Sequence, residues 1–215
     1  MRKLMMVLQC SIILIFCAQA EALIVINEVF ADPAIGIAGD ANNDRIRSSS
    51  NDEFIEILNF GNMSVNISGW RLSDAVSARH IFSANTFLLP YKYIVIFGGG
   101  TPNLANINWQ TASSGGLSLN NGGDTVSLLS LDSQLVDQVV YNNLADQDQS
   151  IVRFPEGQGG QFVLHSSLSN KGELFSPGRS VNGENIAQTS VPEPASVLYF
   201  MVGILFLFSK RLVFC

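Results

Sequence analysis

Cysteine is missing from the body of this chain. Of the three present, Cys10 and Cys17 fall within the first twenty residues and Cys215 is the last residue. No disulfide framework is available, so the fold has to rest on one ordinary hydrophobic core. Histidine is scarce as well, with only His80 and His165. Nothing resembles the Gly-x-Ser-x-Gly turn that presents a nucleophile, and His80 stands between Arg79 and Ile81 in an expected strand, so both histidines read as structural. Positive charge is also short, at 12 Lys and Arg against 18 Asp and Glu. Without Arg2 and Lys3 the net charge moves from −6 to −8, which repels a phosphate backbone and excludes nucleic acid as a partner. Between the two ends no window sustains helical spacing.

What is there is a series of short apolar runs broken by Gly, Asn, Asp, Ser and Pro. Leu23–Phe30, Glu53–Phe60, Ser68–Asp74, Arg79–Ser83, Tyr91–Gly98, Asp124–Leu131, Gln134–Tyr141 and Ser150–Phe154 have strand length and are rich in β-branched or aromatic residues. Strands at this density predict an antiparallel sandwich rather than βαβ units. Leu129 and Leu131 run into Asp132-Ser133 before Leu135, Val136, Val139 and Val140 resume the apolar pattern, which predicts a hairpin. Phe97-Gly-Gly-Gly-Thr-Pro102 lacks the Lys-Ser/Thr and the helix of a phosphate cradle and reads as a loop at a sandwich end.

The acidic loop Gly39–Phe54 carries Asp40, Asn42 and Asp44 at alternate positions, followed by Asp52 and Glu53. Oxygen ligands at such spacing open calcium loops, and Ca2+ held by Asp40, Asn42, Asp44 and Asp52 is one reading. The pattern departs from the EF-hand rule at Arg45, where Gly belongs, and at Asn51, where the bidentate Glu belongs. The other reading is a polar loop using Asp and Asn for its turns. Glu53 and Glu56 point to opposite faces of one strand, so they form no acid/base pair and are expected to be solvated or to support turns.

Taken in order, INEVFAD, DEFIEILNFG, ISGWRLSD, LLPYKYIVIFGG, GGLSLNNGGDTVSLLSLDSQLVDQVVY, QSIVRFPEG and SPGRSVN resemble the lamin tail domain, an immunoglobulin-like β-sandwich also found in exported bacterial proteins. The pair GWRLSD and LNNGGDTVSLL is the most specific part. The resemblance implies a sandwich over residues 21–182, with Trp70 as a large core anchor and Asn120–Gly123 as a tight turn.

The two ends read as addresses. Arg2 and Lys3, the apolar Leu4–Phe16 and the small residues Ala18 and Ala20 describe a secretory signal peptide over residues 1–20, an uncleaved anchor being the alternative. After a polar linker over 183–190 come Pro192-Glu193-Pro194, an apolar run over 195–208 and the basic pair Lys210-Arg211. As a helix the run covers about 21 Å at 1.5 Å per residue, against a hydrocarbon core of roughly 30 Å. The basic pair orients it with the body outside the cytoplasm. The segment over 191–215 resembles the PEP-CTERM sorting signal, which implies recognition by an exosortase-type membrane protease in a Gram-negative bacterium that makes extracellular polysaccharide. A permanent tail anchor is the alternative.

The expected architecture is therefore an all-β immunoglobulin-like sandwich flanked by a signal helix and a C-terminal transmembrane helix. The expected function is that of an exported, non-enzymatic module at the cell surface or in the biofilm matrix, with exopolysaccharide or surface proteins as partners. A hydrolase, or an accessory domain of one, is the alternative. Exposed aromatics on one face would indicate sugar stacking, and a uniformly polar surface a scaffold.

Overall fold

The structure is a computed structural model that describes residues 23–183. The signal peptide expected over 1–20 and the sorting segment expected over 191–215 lie outside the described residues, as does all but the first residue of the linker. Among the described residues no helix is long and apolar enough to cross a membrane.

Among the described residues there are twelve strands: β1 (Ile24–Phe30), β2 (Phe54–Asn59), β3 (Val65–Asn66), β4 (Arg71–Ser73), β5 (Ala78–Ile81), β6 (Phe87–Leu88), β7 (Tyr93–Phe97), β8 (Trp109–Thr111), β9 (Gly123–Leu129), β10 (Leu135–Asn142), β11 (Ile151–Phe154) and β12 (Gln161–Leu164). Each of the eight runs read from the sequence overlaps one of them. The other four, β3, β6, β8 and β12, are two to four residues long, too short for alternation to register. One sheet runs β12-β11-β1-β2-β7-β8, the second runs β10-β9-β4-β5, and β3 pairs with β6 alone.

The two larger sheets pack face to face. Ile24, Ile26, Ile55, Ile57, Ile94 and Ile96 from the first meet Leu72, Val126, Leu128 and Val139 from the second in one buried cluster. Alternate residues of β1, β2 and β7 point into this core, as the period of two requires. A bulge in β1 between Ile26 and Glu28 lets Val29 rejoin the inner face while Asn27 and Glu28 both turn outward.

The expectation of a wholly antiparallel sandwich is corrected at one edge, where β8 pairs parallel to β7. Parallel neighbours need a crossover, and residues 98–108 supply it across the outer face of the six-stranded sheet. Phe30, Phe54, Val95 and Phe97 on that face are buried, with Leu104 and Ile107 of the crossover and Phe175 packed against them. Trp70 is also corrected. It is only partly buried and packs at the margin of the core, while Leu72, two residues on, is fully buried at its centre. The expected hairpin is β9–β10, closed by Leu129↔Leu135 and by bonds from Ser130 N to Gln134 O and Ser133 N to Ser130 O. Ser133 has φ 63°, the left-handed residue that completes a three-residue hairpin loop.

The sheets are also joined by a polar latch. β11 pairs with β1 only at Glu28↔Val152 and Val29↔Ile151. Beyond that, Asp137 Oδ2 accepts the Ile26 N–H at 2.7 Å and Arg153 Nε donates to Ile26 O at 2.8 Å. Arg153 Nη2 meets the same Asp137 Oδ2 at 2.5 Å, Nη1 donates to Gly159 O at 2.6 Å, and the guanidinium lies 5.0 Å from the Phe162 ring centre. One fork thus ties β1, β10, β11 and the turn before β12, in place of strand pairing.

Candidate functional site

The acidic loop is brought together as the sequence suggested, and its carboxylates are turned to backbone amides. Asp52 accepts from Asn42 N at 3.1 Å and Ser48 N at 2.7 Å. Asp40 accepts from Asp44 N and Arg45 N, and Asp44 from Ile46 N and Thr101 N. Burial raises the Asp52 pKa, the amide bonds oppose that, and the charges of Asp40 and Asp44 add to the rise. Asn42 is buried and its Nδ2 donates to Gly99 O. The glycine run seats this loop: a Cβ on Gly98 would meet Ser50 O at 1.8 Å, and one on Gly100, at φ +76°, would meet Asn42 Nδ2 at 2.5 Å and Asp44 Oδ2 at 2.7 Å. Gly98–Gly100 is a bed for the acidic loop, which is why no side chain stands there.

A second acidic group lies on the outer face of the six-stranded sheet. Glu28 and Glu56 are fully buried, and Glu156 and Asn27 join them. These carboxylates hold the returning segment 176–181. Glu28 accepts from Ser150 Oγ, Ser176 N and Ser176 Oγ at 2.5, 2.9 and 2.9 Å. Glu56 accepts from Asn27 Nδ2 at 3.0 Å and Gly178 N at 2.7 Å, and Glu156 accepts from Val181 N at 3.3 Å. Burial raises the Glu56 carboxyl well above its usual range, and the neighbouring Glu28 charge adds to this. Burial likewise raises Glu156. The sequence reading missed this clasp and expected Glu56 to be solvated or turn-supporting. The available signal was a glutamate next to Ile or Val in each of two strands, INEV and FIEIL, where a buried charge needs partners.

A third group closes one end of the sandwich. Asp74 Oδ2 meets Arg79 at 2.5 Å while its Oδ1 accepts from Val76 N and Ser77 N. Burial works to raise Asp74, but these bonds hold it below its usual value. Beside it Glu53, 6% exposed, accepts from Leu119 N, and burial pushes its carboxyl up to about 7. The Tyr141 hydroxyl is buried without a hydrogen-bond partner, held protonated by burial and by Asp124, Glu53 and Asp74. Glu53 and Glu56 do serve opposite faces, as the strand period required.

Both histidines are buried. His80 Nε2 lies 2.9 Å from Gln110 Oε1 with its ring edge-on to Phe82, and His165 Nδ1 lies 2.8 Å from Glu173 O. Burial lowers the His80 pKa, so the ring stays neutral. Among the described residues no group of three or more His, Cys, Asp or Glu side chains is placed to hold a metal ion. The expected sorting residues Pro192, Glu193, Pro194, Lys210 and Arg211 lie outside the described residues.

No curated relative matches the chain. A family profile does: the Lamin Tail Domain profile matches residues 18–143, from the end of the expected signal peptide through β10. That span holds the four-stranded sheet and the centre of the six-stranded one, while β11, β12 and the clasped segment 176–181 follow it. With more than half of the chain matched and an all-β sandwich formed by it, the chain belongs to the lamin tail domain family.

Proposed function

We propose that this is an exported, non-enzymatic lamin tail domain protein, delivered to the bacterial surface through its C-terminal sorting segment and serving there as a binding or structural module of the exopolysaccharide matrix. The observation that carries the non-enzymatic half is the use made of its acidic side chains. Asp40, Asp44, Asp52, Glu28, Glu56 and Glu156 accept backbone N–H groups and fasten loops, so none of them is left to converge on a reacting atom. The calcium reading of Asp40, Asn42, Asp44 and Asp52 requires these side chains to leave their amide partners, since among the described residues no three acidic groups are gathered for a metal ion. The proposed delivery route uses an exosortase-type protease acting at Pro192-Glu193-Pro194, with Lys210-Arg211 at the cytoplasmic side.

A hydrolase reading has one observation in its favour, Glu53 with a carboxyl near neutrality beside the partnerless Tyr141 hydroxyl. Against it, Glu53 is almost fully buried and bonded to a backbone amide. Two experiments decide. Deleting Pro192–Pro194 in the producing bacterium leaves a folded protein retained in the membrane fraction, and intact surface delivery would sink the sorting reading. Turnover of phosphoesters or glycosides by purified residues 21–190 would replace the binding module with an enzyme.

A further inference from the structure

Tyr91 is an aromatic residue in a left-handed backbone conformation, φ 56°, a region that bulky residues rarely enter. Its ring stands edge-on to Phe60, with centroids 6.4 Å apart and an interplanar angle of 83°. Together with Phe87, 52% exposed in β6, it lines a groove of about 370 Å³, within the range of ~300–1,000 Å³ that small-molecule sites occupy. Asn106 and Asn108 of the crossover also line the groove, as do Lys92 and Arg179. Arg179 is tethered by Glu173 at 3.0 Å.

Tyr93 lines the same groove. It is 9% exposed, and its hydroxyl has no hydrogen-bond partner. Burial keeps the phenol protonated, and the charges of Glu56, Glu156 and Glu28 add to this, so it is held as a donor. A buried hydroxyl left unpaired is unfavourable, and a ligand oxygen that reached it would recover that loss.

The geometry points to this groove as a saccharide site, with Phe87 and Tyr91 against the C–H face of a sugar ring, Asn106 and Asn108 on its hydroxyls, and Lys92 with Arg179 selecting a carboxylate-bearing unit over a neutral one. Aromatic faces carry the negative lobe of a quadrupole and suit polarised C–H groups. A side-chain amide offers a donor and an acceptor together, matching neighbouring hydroxyls. Charge-assisted bonds from Lys and Arg to a carboxylate are the strong ones. On a body of net charge −8 once the signal peptide is removed, Lys92 and the Glu173-paired Arg179 are the cations that line this groove, and beside them an acidic sugar can be tolerated. The assignment rests on the matrix-binding reading and gives it an address on the surface.

The test uses the full-length chain in mild detergent, titrated calorimetrically with an alginate tetrasaccharide, with cellotetraose and, as a pure polyanion, with short-chain polyphosphate. The alginate fragment is expected to bind, cellotetraose to bind about tenfold more weakly, and polyphosphate not to bind. Tyr91→Ala and Phe87→Ala each weaken the alginate fragment by about tenfold or more. Lys92→Ala removes the preference over cellotetraose. Tyr93→Phe weakens binding while leaving the melting temperature unchanged or raised, a pair of effects that a purely structural tyrosine would not give. Saccharide binding untouched by Lys92→Ala and Tyr93→Phe overturns the groove and leaves the matrix reading standing. Polyphosphate bound as tightly as alginate overturns the saccharide class. Failure to bind either sugar overturns the groove, while surface delivery, measured separately, still judges the sorting reading.

Discussion

Protonation of Glu53 makes this fold most stable in mild acid. The carboxyl titrates at about 7 in the folded protein against its ordinary 4.5, because burial disfavours the charged form. A group raised on folding binds its proton more tightly in the native state. Its stabilisation is therefore complete below about 4.5 and is lost as pH climbs through about 7. At 1.36 kcal/mol per pH unit, moving from 4.5 to about 7 is worth about 3 kcal/mol, a large part of a typical stability of about 5–15 kcal/mol. Asp52, Glu56 and Glu156 are raised by the same cause and add slope of the same sign. Asp74 is lowered, so it opposes them only in stronger acid. Urea unfolding of residues 21–190 at pH 4 and pH 8 measures the difference. The parent should lose at least about 3 kcal/mol between the two, and Glu53→Gln, neutral at both, should lose about 3 kcal/mol less than the parent does. Stability that rises with pH, or a Glu53→Gln profile parallel to the parent, would refute the reasoning.

Arg153→Ala breaks the latch and strands Asp137 and the Ile26 carbonyl, with an expected cost of about 3–5 kcal/mol in urea unfolding, and Arg153→Lys should restore only part of it because the fork serves three acceptors. Ser133→Gly relieves the left-handed residue of the β9–β10 hairpin and should raise stability by up to about 1 kcal/mol, the exposed bond to Arg71 being a minor loss. On the calcium proposal, millimolar Ca2+ raises the melting temperature over that in chelator, and Asp52→Asn removes the shift, while an unchanged transition leaves loop 40–52 to its amide bonds alone.

The sheet strands were legible because β-branched and aromatic residues concentrate in runs of strand length bounded by turn residues, as in INEVF, FIEILN and DTVSLL. Short β8 was not, since Trp109-Gln110-Thr111 is made a strand by its neighbour β7, and a parallel partner cannot be read from three residues. Of the polar groups, the sequence showed the acidic loop, because its aspartates are close along the chain. It did not show the Glu28–Glu56–Glu156 clasp, whose carboxylates lie 28 to 128 positions apart, or the latch, in which Arg153 reaches Ile26 127 positions away, because both meet only through sheet order. The groove was invisible for a further reason. Tyr91 matters through a positive φ and Tyr93 through an orphaned hydroxyl, neither of which leaves a mark on residue type.

The clasp also bears on how this body would sit between its core and its tail. Segment 176–181 lies immediately before the linker, so any load carried by an anchored C-terminus reaches Val181, Gly178 and Ser176 before it reaches a strand. Each of these donates a backbone N–H to a carboxylate on the outer face of the sheet. Hydrogen bonds to charged groups contribute about 1.5–3 kcal/mol each, more than a neutral pair, but only while the acceptor keeps its charge. Glu56 and Glu156 are both raised above the usual carboxylate range, so their bonds to Gly178 and Val181 change character with pH. The segment is thus fastened at three points. The Ser176 end is bonded through N–H and hydroxyl together, and the Gly178 end borders the groove lined by Tyr93.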